Sequence, residues 1–350
     1  MNFGSKRRLR IIRDYCIGWI LAFVFLSIVR GSGTIEEGSV QFEFWSTMLV
    51  SLIFGVIFGS ISGYAQIITE ERAYKRVSIQ KLLMFRFLYA LAFLFVLIVV
   101  SYYMVSIFFD VDVSFSQFVF EPGSFAIYFY ILVVDFFMVV LRQINLLLGD
   151  SNLWKLLRGK FYDPHEEERI FMFLDLQSST NLAEKLGHIK YSMFIQDCFN
   201  DLGVVAENEA EIYQYVGDEV ILTWQLKDGI KNNNCIKAYF NFKKQLENKS
   251  VYYKMTYDSL PFFKAGMNAG LVTVTEVGKY KKEIAYHGDA INTAARIQGK
   301  CNSLKQEFLI SAILREKLTS DPSFTYKDLG DIDLRGKKED VTVFGVSKVA

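Results

Sequence analysis

The chain has 350 residues, 51% of them hydrophobic and 16% aromatic, with a formal net charge of +1. That length sets a prior of two domains, and the near-neutral balance excludes a global field for nucleic acid. A mean hydropathy of +0.21 is too high for an ordinary soluble chain, and the apolar excess lies almost entirely before residue 150. Cys16, Cys198, Cys235 and Cys301 show no CxxC spacing and the three histidines do not cluster. Neither pattern points to redox or His-based zinc chemistry, and a reduced, cytosolic C-terminal half is expected.

Four apolar stretches come first, at 15–29, 44–68, 87–109 and 124–141. A spanning helix needs about 20 apolar residues, within a range of about 17–25. The middle two reach that alone, while the first and fourth need their flanks, Ile11-Ile12 and Ile144 to Leu148. A cleaved signal peptide is the rival reading of the first, but three further spans follow it and no small-x-small cleavage site does. Lys6, Arg7, Arg8, Arg10 and Arg13 precede the first span, and Arg72, Lys75, Arg76 and Lys81 lie between the second and third. The 30–43 loop carries one basic residue and the 110–123 loop none. Positive residues stay inside, so a multi-pass protein of the inner or plasma membrane is expected, with both termini cytoplasmic. Gly55, Gly59 and Gly63 form a small-residue stripe, open to packing within the four-helix bundle or to a dimer contact. Asp135, inside the fourth span, suits either a structural bridge to Arg86 or a sensing role.

The chain then divides into a membrane domain at 1–142, a linker at 143–169 and a catalytic domain at 170–350. In the linker, Leu146 to Leu148, Leu153, Trp154, Leu156 and Leu157, with Lys155, Arg158 and Lys160, read as an amphipathic segment. It is either a hinge or a helix lying on lipid. Beyond it, Ile170–Leu174 reads as a buried strand, and 178–186 and 191–206 as helices. Ile212–Val216 and Val220–Trp224 read as a hairpin with Gly217-Asp218 at its tip. A long helix is expected over 230–248, a strand pair at 262–267 and 271–277 around Gly270, and a helix from Asp289, with that acid as its N-cap. Phe308–Ile310 and Val341–Val346 complete a sheet with helices on one face.

Two lone carboxylates end strand-like segments, Asp175 after Ile170-Phe171-Met172-Phe173-Leu174 and Asp218 after Gly217. Asn292 and Arg296 stand four residues apart on one helix face. Two acids for one metal centre with an Asn/Arg pair suit phosphoryl chemistry on a nucleoside triphosphate. Taken singly, each has an ordinary explanation as a strand-end acid, a turn residue or a solvated helix residue.

In order and spacing, these segments resemble the catalytic domain of the class III nucleotidyl cyclases, the adenylate and guanylate cyclase family, over about 166–346. The aromatic-x-Asp strand with a Thr-containing turn is Phe173-Leu174-Asp175-Leu176-Gln177-Ser178-Ser179-Thr180. The second acid is in Gly217-Asp218, the Asn-x-x-x-Arg helix is Asn292 to Arg296, and the late basic residue is in Arg335-Gly336-Lys337, with Lys337 favoured. The resemblance implies an α+β, ferredoxin-like sheet with packed helices behind a four-helix transmembrane bundle. It implies a homodimer that turns ATP into 3′,5′-cyclic AMP, with GTP as the other candidate, using two Mg2+ or Mn2+ ions on Asp175 and Asp218. Backbone N–H groups from Leu176, Gln177, Ser178, Ser179 and Thr180 would cradle phosphates, in a turn that lacks the glycine common in the family. Arg296 would stabilise developing charge and Asn292 would orient the ribose. The family's base-reading positions are Gln214 and Ala285 here. An amide reads either purine and an alanine side chain reads neither, so ATP and GTP stay open at this point, as does a degenerate, nucleotide-binding signalling protein.

Overall fold

The computed structural model describes residues 3–31, 44–70, 79–109, 114–149, 155–156, 158–337 and 339–349. They fall into two compact units, Met1–Leu146 and Leu147–Ala350. Arg72, Lys75, Arg76 and most of the 30–43 loop lie outside the described residues, as do Leu153, Trp154, Leu157 and the side chain of Arg86.

The first unit contains helices α1 (Phe3–Gly31), α2 (Phe44–Ile68), α3 (Ile79–Phe109), α4 (Phe115–Phe120) and α5 (Pro122–Leu148). Three of these helices are long and apolar enough to cross a membrane, over Arg7–Val29, Met48–Ile68 and Gly123–Leu148, and α3 carries the shorter apolar run Phe87–Tyr103. The flanks do extend the first and fourth stretches. The short helix α4 was not anticipated in the 110–123 loop; Ser114 and Gln117 close a capping box at its start.

The glycine stripe faces α1. A Cβ at Gly55 would stand 2.6 Å from the Ile20 backbone, one at Gly59 would collide with Cys16, and one at Gly63 would meet Ile12 at 3.0 Å. Of the two expected occupants, the intramolecular one takes the stripe. Asp135 is 2% exposed and accepts a 3.0 Å hydrogen bond from Ser62. Two turns further along both helices, Arg142 makes a two-pronged bond to Glu70 at 2.7 and 3.0 Å, and Arg7 adds a third contact at 2.9 Å.

In the second unit, eight strands form one sheet. They are β1 (His165–Leu176), β2 (Glu211–Val216), β3 (Glu219–Gln225), β4 (Phe263–Val277), β5 (Glu283–His287), β6 (Phe308–Ser311), β7 (Phe324–Ile332) and β8 (Val341–Lys348). Their order is β2-β3-β1-β4-β6-β8-β7, with β5 on β4. Two expectations change here. The acidic end of the linker belongs to β1, whose ladder with β4 begins at His165 opposite Val274. Gly270 does not divide two strands: β4 runs unbroken through it, because Gly270 is paired with Arg169.

Alternation on β1 separates two cores. Ile170, Met172 and Leu174 point to one face, under helices α7 (His188–Asp201), α9 (Asn234–Asn248) and α10 (Ser250–Tyr257). Phe171 and Phe173 point to the other, where Ala290 and Ala294 of α11 (Asp289–Gly299) pack on them. Helices therefore cover both faces, and α11 occupies the side expected to be bare. The helix expected at 191–206 is α7 followed by a 3-10 segment, and α10 extends the long helical region past Asn248.

Candidate active site

Antiparallel pairing of β1 with β3 sets Asp175 directly opposite Glu219. Asp218 precedes Glu219 at the hairpin tip, reached through Gly217 at φ +64°. A left-handed residue is needed for that tight reversal, and glycine adopts it without penalty. Asp175, Asp218 and Glu219 thus meet at one end of the sheet, on the face that α11 covers.

Their proximity is visible in their acidities. Burial, then the neighbouring Asp218 charge, raises the Asp175 carboxyl, opposed by hydrogen bonds from the Gln298 side chain and the Leu176 N–H. Burial, with Asp175 and Asp218 alongside, pushes the Glu219 carboxyl up to about 7. No lysine or arginine forms an ion pair with any of the three among the described residues. Crowded carboxylates lacking a cation fit a divalent metal. A Mg2+-like ion commonly takes one or two protein carboxylates and draws its other ligands from water and substrate phosphates. Among the described residues no group of three or more His, Cys, Asp or Glu side chains is arranged to hold a metal ion, this trio included, so an ion here would rest on at most two of them.

The turn after β1 is partly committed already. The Gln177 N–H donates to the Phe262 carbonyl at 2.9 Å, so it is not free to cradle phosphate. Ser178 lies in the left-handed region at φ 58° and its carbonyl accepts from the Leu182 N–H at 3.0 Å. Helix α6 (Ser179–Leu186) starts next, so Ser179 and Thr180 present first-turn N–H groups that have no partner within the helix.

Gln214 sits on β2 opposite Ile221, just past a bulge in the pairing after Ile212. Ala285 sits on β5 opposite Thr275. Their chain neighbours meet: Tyr213 and Tyr286 stack edge-on with ring centroids 4.9 Å apart. The Arg169 guanidinium lies 4.8 Å from the Tyr286 ring centre and bonds Glu167 at 2.9 Å and Glu211 at 2.6 Å. Against the opposing effect of burial, hydrogen bonds from Lys160, Arg169 and His165 hold Glu167 down at about 2.

Helix α11 crosses β4 closely at two glycines. A Cβ at Gly266 would collide with the Gln298 backbone, and one at Gly270 would come within 2.9 Å of the Ala290 Cβ. Ala290, Thr293, Ala294 and Ile297 are buried against the sheet, while Asn292 is exposed on the opposite flank. Arg296, one turn on from Asn292, lies near the turn at 334–337, where a Cβ on Gly336 would stand 3.5 Å from its Nη2. Lys337 reaches Asp289 at 2.9 Å. Asp289 is the first residue of α11 and not its N-cap, a place taken by Gly288. The structure therefore gathers the predicted residues into two groups, the acids at the strand end and Asn292, Arg296 and Lys337 along α11.

Three neighbours of the acids were not singled out in the sequence. Glu219 could have been, because the register of a hairpin flanking Asp218 sets it opposite Asp175. Tyr191 is placed by α7: burial raises its hydroxyl, then the Asp218 charge, against a lowering influence of Ser179 and with a smaller push from Asp175. Gln298 depends on the Gly266 crossing. Neither has a sequence signal of its own.

Residues 162–347 match the model of the adenylate and guanylate cyclase catalytic domain. Adenylate cyclase 2 of Rhizobium meliloti (strain 1021) is 30% identical over 211 residues, covering 60% of this chain and 58% of that protein. This chain thus spans less than two thirds of that relative. Two structures of a bacterial light-regulated adenylyl cyclase share the fold at 18% identity. One has a TM-score of 0.55 and covers 65% of this chain and 67% of that one; the other has a TM-score of 0.52 and covers 61% and 64%. With that match spanning more than half of its length, the chain belongs to the adenylate and guanylate cyclase catalytic-domain family.

Proposed function

We propose that this chain is a membrane-anchored adenylate cyclase that converts ATP to 3′,5′-cyclic AMP and pyrophosphate. The observation that carries the reading is the meeting of Asp175 and Asp218 at one sheet end, with no lysine or arginine paired to either among the described residues. ATP is preferred because the R. meliloti relative is an adenylate cyclase by name; the Gln214 amide is compatible with either purine.

In the reaction the ribose 3′-oxygen attacks the α-phosphorus, the bond to the β-phosphate oxygen breaks, and the 3′-hydroxyl proton is released. Two Mg2+ or Mn2+ ions, when bound, acidify the 3′-hydroxyl and neutralise the triphosphate. Asp175 and Asp218 would hold them, with Gln298 orienting Asp175. Arg296 faces the charge that grows on the α-phosphoryl oxygens, and Asn292 orients the ribose. Lys337 and the first-turn N–H groups of Ser179 and Thr180 hold the phosphates. Asn292 lies on the flank of α11 turned away from its own sheet, which supports a site shared between two chains of a homodimer.

On this reading the membrane domain spans 1–142, in contact with lipid and with both termini cytoplasmic. The linker is shortened to 143–164 because β1 starts at His165. Membranes containing the full chain, assayed with ATP and with GTP in Mn2+ and in Mg2+, should form cyclic AMP faster than cyclic GMP. Faster cyclic GMP formation reverses the substrate assignment. Loss of all product in a folded dimer removes the enzyme reading.

A further inference from the structure

The turn that carries Lys337 is fastened to α11 at three points. Leu334 is buried in a cluster with Ile297. Gly336, at φ +79°, lies over the Arg296 guanidinium, and Lys337 ends on the Asp289 carboxylate at 2.9 Å. The carboxylate is itself held, because buried Thr293 donates to the same oxygen at 3.2 Å. The Lys337 side chain is 22% exposed and that of Asp289 is 65% exposed. The lysine is thus mostly covered while its counter-charge stands in the open, beside the Asn292 and Arg296 flank.

We propose that Asp289 occupies Lys337 as a stand-in anion, which an incoming nucleoside triphosphate must displace, so that this carboxylate sets how tightly the site takes nucleotide. This rests on the reading of Lys337 as a phosphate contact. A lysine ammonium is a compact point charge that can exchange one oxyanion for another without a fixed geometry. The exchange is one for one: the Lys337 contact with Asp289 breaks as its contact with a phosphate oxygen forms. Asp289 keeps Thr293, and its charge repels the phosphate chain. Asp289 also sits at the positive end of the α11 dipole, so a purely structural role would show in thermal stability and leave nucleotide affinity alone.

The test uses the full chain in membranes, with Asp289→Asn, Asp289→Glu, Lys337→Met and the double variant Asp289→Asn/Lys337→Met. Two readouts are taken at low ionic strength: the KM for ATP with Mn2+, and displacement of a fluorescent ATP analogue by inorganic tripolyphosphate. Asp289→Asn should lower the KM and tighten tripolyphosphate binding about three-fold, the scale of an exposed ion pair, with kcat within about two-fold of the parent. Asp289→Glu, which keeps the charge, should stay near the parent. In the Lys337→Met background the same Asn change should shift affinity by no more than about 1.5-fold, since the partner is gone.

A KM that rises or stays still in Asp289→Asn overturns the proposal, and so does an equal gain with and without Lys337. If the parent forms no cyclic nucleotide but displaces the analogue with the expected Asp289 dependence, the enzyme reading fails and this inference stands. If cyclic AMP forms while tripolyphosphate binding ignores both residues, the enzyme reading stands and this inference fails.

Discussion

At the scale of single residues, the acid cluster should be readable as a pH effect. Glu219 has a folded-state pKa of about 7 against an ordinary value near 4.3, so the folded chain holds its proton more tightly than the unfolded one. The associated stability is fully present below about pH 4.3 and is lost as pH rises to about 7. Asp175, raised for the same reasons, adds in the same sense. Glu167, held near 2, loses its own contribution only on the acid side of that window. Hydrogen exchange at the β3 amides in metal-free protein should therefore quicken from pH 5 to pH 7.5 by more than intrinsic exchange accounts for. Glu219→Gln should flatten that excess, and Mn2+ should reverse it at pH 7.5. An unchanged pH profile in Glu219→Gln would show that the carboxyl is not pressed against its neighbours. Asp175 and Asp218 stood out in the sequence because each ends an apolar run. Glu219 and Tyr191 did not, because their contact with the acids is made by pairing and by a helix folded over the site.

At the scale of elements, two backbone positions make opposite predictions. Ser178 holds a left-handed conformation at φ 58°, a region that costs a non-glycine residue on the order of 1–3 kcal/mol. Ser178→Gly should therefore raise stability by about 1 kcal/mol after the flexibility of the unfolded glycine is counted, with activity retained. A loss of stability would mean that the serine side chain contributes more than its backbone costs. Gly266 is the reverse case. Its missing Cβ admits the Gln298 backbone, and no rotamer change relieves a collision with main chain. Gly266→Ala should cost about 2 kcal/mol or more and should weaken Mn2+ dependence through Gln298 and Asp175. Gly270→Ala, which meets only the Ala290 Cβ at 2.9 Å, should be milder, and equal effects would argue against this close crossing. The hairpin and the terminal strands were legible from alternation and turn residues. The unbroken β4 was not, since a glycine in a strand reads as a break unless its partner is known. Strands β5 and β7 were missed because β5 offers only Ile284-Ala285-Tyr286 between two polar ends and buries none of them fully, while β7 is mostly exposed with Phe324 its one buried residue.

For the whole molecule, the proposed sharing of the site between two chains makes a prediction that no single chain can meet. Asp175→Ala and Arg296→Ala should each be silent as homodimers. Co-expressed, they pair at random, and half the dimers carry one intact site of two, so about a quarter of parental activity should return. Demonstrable heterodimers with no recovery would place both groups in one chain. The division into an apolar and a catalytic half was plain from where the hydrophobic residues fall. Its boundary was set too late, because an acidic run looks like a solvated linker until Arg169 is seen between Glu167 and Glu211. One strand bears the Glu167–Arg169 cluster near its start and Asp175 near its end, and hydrogen-bond ladders grip it on both sides. A slip of one residue would turn every side chain, Asp175 included, to the opposite face. Strand β1 therefore cannot slide by small degrees. It acts as a stiff rod roughly 40 Å long, and a force delivered at His165 reaches Asp175 only as a tilt of the sheet that holds it.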